Sequence, residues 1–185
     1  MSDLSLGLER KLCAPGAPVS LQEGAVIEGY ASVFGTRDQG GDTVLAGAYA
    51  RSLKAQAEAG RRIKMLWQHD PAEPIGVWED VREDARGLFV KGRLLTDVAR
   101  GREAAALIEA GAIDGLSIGY RTVRAEKNDT GQRLLSELEL WEVSLVTFPM
   151  LPQARVGAKG ESPEVVLMRD LAAAFDDARQ TLAES

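Results

Sequence analysis

Histidine and cysteine each occur once in this chain of 185 residues, as His69 and Cys13. Cys13 has no internal partner, so no disulfide can close within the chain. The same shortage excludes a structural zinc site built on Cys and His. It also leaves His69 as the one side chain through which imidazole chemistry can run. Long apolar runs and a secretory leader are both missing, which predicts a soluble, cytosolic protein with no membrane partner. No internal repeat is visible. The net charge of -6 argues against a general nucleic-acid binder, because neutralising phosphates needs clustered Lys and Arg. The weakly basic stretch from Arg121 to Lys127 is diluted by Glu126 and followed by Asp129. No acidic loop has the spacing of a calcium hand. Neither a cofactor nor a metal is expected.

What is present suits one domain with a tail. A chain of this size buries roughly 70% of its unfolded surface on folding and needs no covalent staples. The protein domain is predicted over 1–157. Residues 158–185 read as a linker and an amphipathic helix from about Pro163 to Ala183, with Leu167, Leu171, Ala174, Phe175 and Ala178 as its apolar stripe.

Within the domain, alternation at Leu4, Leu6 and Leu8 suggests a first strand up to about Leu12, before the turn Ala14-Pro-Gly-Ala-Pro18. Val26 to Phe34 reads as a strand, and Thr36 to Asp42 as an exposed loop. Ala46 to Ala59 reads as a helix stopped by Gly60. Ile63 to His69 reads as a strand with Ile63, Met65, Trp67 and His69 on one face, followed by a loop over Asp70 to Pro74. Ile75 to Val81 and Leu88 to Leu94 form a predicted hairpin. Thr96 or Asp97 would cap a helix running to Ala110, with Ala104, Ala105, Leu107 and Ile108 buried and Gly111 as the stop. Leu134 to Val146 is a long strand with a change of phase: Leu138 and Leu140 have one parity, Trp141, Val143 and Leu145 the other. A bulge near Leu140 reconciles them. At least six strands and few helices predict a mainly β (α+β) fold, an antiparallel barrel with helices outside.

The chemistry centres on Gly111-Ala-Ile-Asp-Gly-Leu-Ser-Ile-Gly-Tyr120. On a strand, Leu116, Ile118 and Tyr120 enter a core and Ser117 faces away from it. Gly115 and Gly119 leave little bulk beside the hydroxyl, so a substrate backbone is expected to approach there. The stretch reads as a strand, not as the strand-to-helix turn of a nucleophile elbow. A serine hydroxyl needs a base to take its proton, and an imidazole has nearly the right pKa. The imidazole in turn needs a carboxylate to fix its tautomer. Glu142, with Ser144 on the same strand face, lies just past the phase change. The chain therefore holds the parts of a hydrolase in the order His69, Ser117, Glu142. Taken singly, each has an ordinary structural reading: a strand serine, a core histidine and a solvated carboxylate.

Several blocks occur together and in order. They are Gly29-Tyr-Ala-Ser-Val-Phe34, Asp42 through Gly47-Ala-Tyr49, Met65-Leu-Trp-Gln-His-Asp70 with Pro74-Ile-Gly76, and Gly87-Leu88. Gly115-Leu-Ser-Ile-Gly-Tyr120 and Glu142-Val-Ser-Leu-Val-Thr147 with Pro149 complete the set. Over about residues 27–156 the sequence resembles the prohead maturation proteases of HK97-type tailed bacteriophages. The resemblance implies a β-barrel similar to the herpesvirus assemblin proteases. It also implies a serine endopeptidase inside the immature capsid, in the bacterial host cytoplasm. Such an enzyme cleaves the scaffolding region of the major capsid protein, and itself, and works as a homodimer. On the matching blocks His69 is the general base, Ser117 the nucleophile and Glu142 the acid that orients His69, with Glu137 and Glu139 close by. The family commonly has Asn near Leu151, where this chain reads Pro149-Met-Leu-Pro-Gln-Ala-Arg155; that loop is a place for substrate or oxyanion contacts. Two further readings belong to other classes. One is a non-catalytic capsid assembly or scaffolding module with the same barrel. The other is a metal hydrolase using Asp38, Asp42 and Asp70, which lacks a histidine cluster.

Overall fold

The structure, a computed structural model, describes residues 9–12, 20–22, 25–38 and 40–147, with side chains from residue 25 onward. The predicted linker, the trailing helix and the loop at Leu151 lie outside the described residues.

The elements follow in the order β1 (Glu9–Leu12), β2 (Ser20–Gln22), β3 (Val26–Val33), β4 (Asp42–Val44), α1 (Ala50–Glu58), β5 (Lys64–Trp67) and β6 (Asp70–Glu83). Then come β7 (Gly87–Leu94), α2 (Ala99–Glu109), β8 (Gly115–Lys127) and β9 (Arg133–Val146). All nine strands belong to one sheet, ordered β1-β8-β9-β5-β6-β7-β3-β2, with β4 attached to β9. The sheet curls: β3 touches β8 although β9, β5, β6 and β7 lie between them in the strand order. Its end strands, β1 and β2, are not paired with each other among the described residues. The sheet is thus a half-barrel rather than a closed one.

Two features differ from an antiparallel barrel. Strand β5 runs parallel to β9, and so does β4. Strand β9, the last of the described strands in chain order, lies inside the sheet between β8 and β5. Neither pairing is visible in local parity, because each joins segments far apart in sequence.

The core comes from alternation. Leu116, Ile118 and Tyr120 on β8, and Leu138, Leu140, Val143 and Leu145 on β9, are all buried in it. The phase change in β9 is a bulge: Gly119 pairs with Glu142 but Tyr120 with Leu140, so Trp141 is the extra residue. The bulge turns Trp141 outward, to 41% exposure, against its expected place inside with Val143 and Leu145.

On the other half, β3, β6 and β7 form an antiparallel meander. Its strands and their neighbours approach closely because glycines leave room. A Cβ at Gly92 would stand 2.3 Å from the Val77 carbonyl oxygen, and one at Gly76 would stand 2.3 Å from Met65 Sδ. The β6–β7 turn is tied by Asp84, whose Oδ1 accepts the N–H groups of Arg86 and Gly87.

Helix α1 starts four residues after Ala46, the expected start, because a run of turns precedes it. Gly60, at φ 62°, ends it, as glycine does at a left-handed position. Helix α2 begins at Ala99 with Val98 as N-cap and no side-chain cap. Thr96 and Asp97 therefore do not cap it; Arg102 instead reaches back to the Thr96 carbonyl. Of its expected stripe, Ala104 and Ile108 are buried, together with Gly101. Among the described residues no helix is long and apolar enough to cross a membrane.

Candidate active site

The site is assembled at the junction of β5, β8 and β9. Ser117 is the third residue of β8 and stands opposite Ser144 of β9; two residues on, Gly119 stands opposite Glu142. Side chains two apart share a face, so Ser117, Ser144, Glu142 and the empty side of Gly119 all lie on the face away from Leu116, Ile118, Val143 and Leu145. Gly115-Leu-Ser-Ile-Gly119 carries the letters of a nucleophile elbow, yet its serine sits within a continuous strand with no turn into a helix.

His69 arrives from β5, but not as the end of a strand. The pairing with β6 shifts after Met65 and again after Leu66. Gln68 and His69 then both adopt left-handed backbone, at φ 52° and 63°. Left-handed conformation costs a non-glycine residue roughly 1–2 kcal/mol, so the surroundings must hold it. Four hydrogen bonds do. The Gln68 N–H donates to the Leu145 carbonyl at 2.9 Å, and its Nε2 to Thr147 Oγ1 at 2.6 Å. Thr147 N–H returns a bond to Gln68 Oε1 at 3.4 Å. The His69 N–H donates to Ser144 Oγ at 3.1 Å. The expected face of Met65, Trp67 and His69 is thus broken by the turn. The expected loop over Asp70 to Pro74 is the start of β6, paired with β5 at Asp70 and Pro74. Pro71 and Pro74 are tolerated because the pairing there is irregular and both are exposed.

These constraints put the His69 ring between the serine and the carboxylate. Nε2 lies 2.6 Å from Ser117 Oγ, and Nδ1 lies 2.5 Å from Glu142 Oε1. The network assigns the proton positions. An ionised carboxylate only accepts, so Nδ1 carries the ring hydrogen and donates it to Glu142. Nε2 is then a free acceptor for the Ser117 hydroxyl. The second carboxylate oxygen, Glu142 Oε2, accepts the Ser144 hydroxyl at 2.6 Å. Both carboxylate oxygens are therefore bonded in a site where the Glu142 and His69 side chains are only 11% and 9% exposed. The neighbouring acids point elsewhere: Glu137 pairs with Arg51, and Glu139 with Arg121.

Two expectations fail in detail. Ser117 is fully buried, not set in cleared space. The room beside Gly119 is taken by Glu142, since a Cβ there would stand 2.1 Å from Oε1. Alongside Ser117, β1 pairs antiparallel with the outer edge of β8, Leu12 opposite Ser117 and Glu9 opposite Tyr120. Ser144 and Gln68 were not singled out as site residues. For Ser144 the signal was there, because its parity places it beside Glu142; for Gln68 it was not, because a left-handed turn leaves no periodic trace.

No three His, Cys, Asp or Glu side chains gather as a metal site among the described residues. The three acids of the metal reading have other partners. Asp38 Oδ1 accepts the Asp42 N–H, Asp42 pairs with Arg133, and Asp70 Oδ1 accepts the Ala72 N–H.

The chain is 32% identical over 149 residues to the prohead protease of Enterobacteria phage HK97, a match that covers 79% of this chain and 65% of that protein. The chain thus spans about two thirds of that relative's length. A 102-residue stretch is 33% identical to part of the capsid polyprotein of Pseudomonas phage PAJU2, covering 51% of this chain and 15% of that one. The fold is shared with the capsid assembly protease of bacteriophage T4 at a TM-score of 0.60 and 19% identity, over 77% of this chain and 98% of that one. Residues 17–169 fit the family Peptidase_S78. That range takes in every strand from β2 to β9 and all three residues of the hydrogen-bonded relay, so the chain belongs to the caudovirus prohead serine proteases.

Proposed function

We propose that this protein is a capsid-maturation serine endopeptidase in which Ser117 is the nucleophile, His69 the general base and Glu142 the acid that orients it. The observation that carries this is the unbroken relay Ser117 Oγ to His69 Nε2, and His69 Nδ1 to Glu142 Oε1, at 2.6 and 2.5 Å.

The relay defines the steps. His69 Nε2 takes the Ser117 proton as Oγ attacks the scissile carbonyl. Glu142 holds the Nδ1–H bond and stabilises the imidazolium that forms. The imidazolium then gives its proton to the departing amine, leaving an acyl group on Ser117. Water, deprotonated by the same nitrogen, releases that group and restores the hydroxyl.

The substrate is an extended peptide added along β8. Strand β1, paired antiparallel along this edge through Ser117, supports this register; the substrate takes the place β1 holds. The substrate of this reading is the scaffolding region of the major capsid protein, met inside the immature capsid in the host cytoplasm. The prohead protease of HK97 and the capsid polyprotein of PAJU2, as relatives, support that choice. The pairing of β1 supports self-cleavage as a second outcome. The assemblin-like fold of the sheet and a homodimeric state belong to the same reading; sedimentation of the purified chain tests the latter.

Co-expression with the cognate major capsid protein, wild type against Ser117→Ala, tests the function by intact mass. A capsid protein shortened at its N-terminal side only with the wild type supports the protease. Full burial of Ser117 favours a second reading, a non-catalytic assembly module. Full-length capsid protein in both samples, with particles formed, would select it.

A further inference from the structure

The Glu142 carboxylate has two oxygens, and the relay uses one. Its other oxygen, Oε2, accepts the Ser144 hydroxyl at 2.6 Å. The same Ser144 oxygen accepts the His69 backbone N–H at 3.1 Å. Ser144 is fully buried, so both bonds are shielded from competing water. One hydroxyl thereby joins the carboxylate on β9 to the peptide of the left-handed residue that carries the imidazole. The other side of the seat is Gly119, across the β8–β9 ladder from Glu142. Its missing side chain admits Oε1, which a Cβ would meet at 2.1 Å.

We propose, resting on the relay read above, that Ser144 is a positioning residue. It holds the Glu142 carboxylate and the His69 main chain in a single arrangement, with Gly119 as the space into which the carboxylate fits. A hydroxyl has one hydrogen and here it is committed to Oε2, which leaves its lone pairs to the His69 N–H. Without it, Oε2 loses a buried donor and His69 loses one of the bonds holding its left-handed turn. The carboxylate is then free to rotate away from Nδ1. The acid and the base are thus set relative to each other by one hydroxyl bonded to the carboxylate and to the His69 main chain.

The single histidine makes this testable without knowing the substrate. The shared Nδ1–H of His69 gives an isolated downfield proton resonance in the full chain, assignable because no other imidazole exists. Its presence in wild type and Ser117→Ala, and its loss in Glu142→Gln, define the reference. Ser144→Ala is expected to lose or broaden it, and so is Gly119→Ala, which keeps the hydroxyl but fills the seat. A second arm measures labelling of Ser117 by a fluorophosphonate, where Oγ bonds phosphorus and fluoride leaves. Ser144→Ala is expected to slow labelling on the order of tenfold or more, with a melting temperature recorded alongside. A Ser144→Ala protein that melts lower yet keeps the resonance and the wild-type labelling rate would overturn the proposal and make Ser144 merely structural. Labelling that persists in Ser117→Ala would instead overturn the relay reading. In a wild type that takes no label, the resonance alone decides the role of Ser144.

Discussion

The two halves of the sheet are built on opposite terms. The β3–β6–β7 meander is antiparallel, with one register shift in each ladder, and apolar within except for the buried Ser32, and glycines at 76 and 92 bring its backbone close to its neighbours. The β5–β8–β9 corner mixes parallel and antiparallel pairing and buries Ser117, Glu142 and Ser144. It also carries two consecutive left-handed residues. The meander gains from packing, where a misplaced methyl group is the main hazard. The corner holds polar groups in low dielectric, where an unpaired one is the hazard. Strain at Gln68 and His69 persists only because the neighbouring bonds over-determine it. The packed half thus serves as a frame for the strained half. Substitutions should therefore divide: chemistry lost without stability in the corner, stability lost without a change in chemistry in the meander.

The largest expected effect is at Ser117. Ser117→Ala should reduce proteolysis on the order of 10⁴-fold or more with little change in melting temperature, read by cleavage assay and thermal unfolding together. A large drop in stability would break the comparison. Next is Gly92→Ala in the meander. Its Cβ meets the Val77 carbonyl oxygen first, and behind it the Trp78 ring and Met65, so unfolding should become easier by about 3 kcal/mol. Fluorophosphonate labelling of the folded fraction should stay as in wild type. Trp78 joins the halves, since its Nε1–H on β6 donates to the Val143 carbonyl on β9 at 3.1 Å. Trp78→Phe should cost about 2 kcal/mol through the lost buried bond and volume, in denaturant unfolding, and slow labelling only slightly.

The smallest effect sits at the meander's open end. The Tyr30 hydroxyl donates to Asp84 Oδ2 at 2.6 Å, and that bond first of all holds the Asp84 carboxyl below its usual value. A depressed folded-state value means stability is present above the unfolded carboxylate range and lost as pH falls through the folded one. The same bond raises the Tyr30 phenol, so its contribution is present below the unfolded phenol range and fades as pH rises through the folded value. Tyr30→Phe should move the Asp84 titration upward in NMR and flatten the acid limb of a stability–pH curve, with only a small change at neutral pH. Catalysis at the other end should not respond.

The meander was largely legible in the sequence. Strand β7 alternates from Leu88 onward and β3 as far as Ala31, and the β6–β7 hairpin follows from two apolar runs around a polar turn. Strands β2 and β4, of three residues each, are too short for periodicity to reveal. The parallel pairing of β5 with β9 was not legible, because no local pattern records which distant strand is a neighbour. At the site, parity placed Ser117 and Glu142 on a polar face and the motif blocks singled out His69. The contact between His69 and Glu142 spans 73 positions and depends on a left-handed turn, for which neither residue type is a signal. In sequence, Gly119 looks like room for a substrate. Only the register, which sets it opposite Glu142, shows that the room is already used.

The position of β9 also bears on timing. A chain made from its N-terminus delivers β5, with His69 just after it, and β8, with Ser117, before the strand that must lie between them exists. Until β9 is inserted, Ser117 has no serine opposite it, His69 has no carboxylate, and the left-handed turn has nothing to hold it. Insertion of a central strand requires non-local pairing on both sides at once, a slow and late event in folding. On the proposed roles, hydrolytic competence is therefore tied to completion of the sheet.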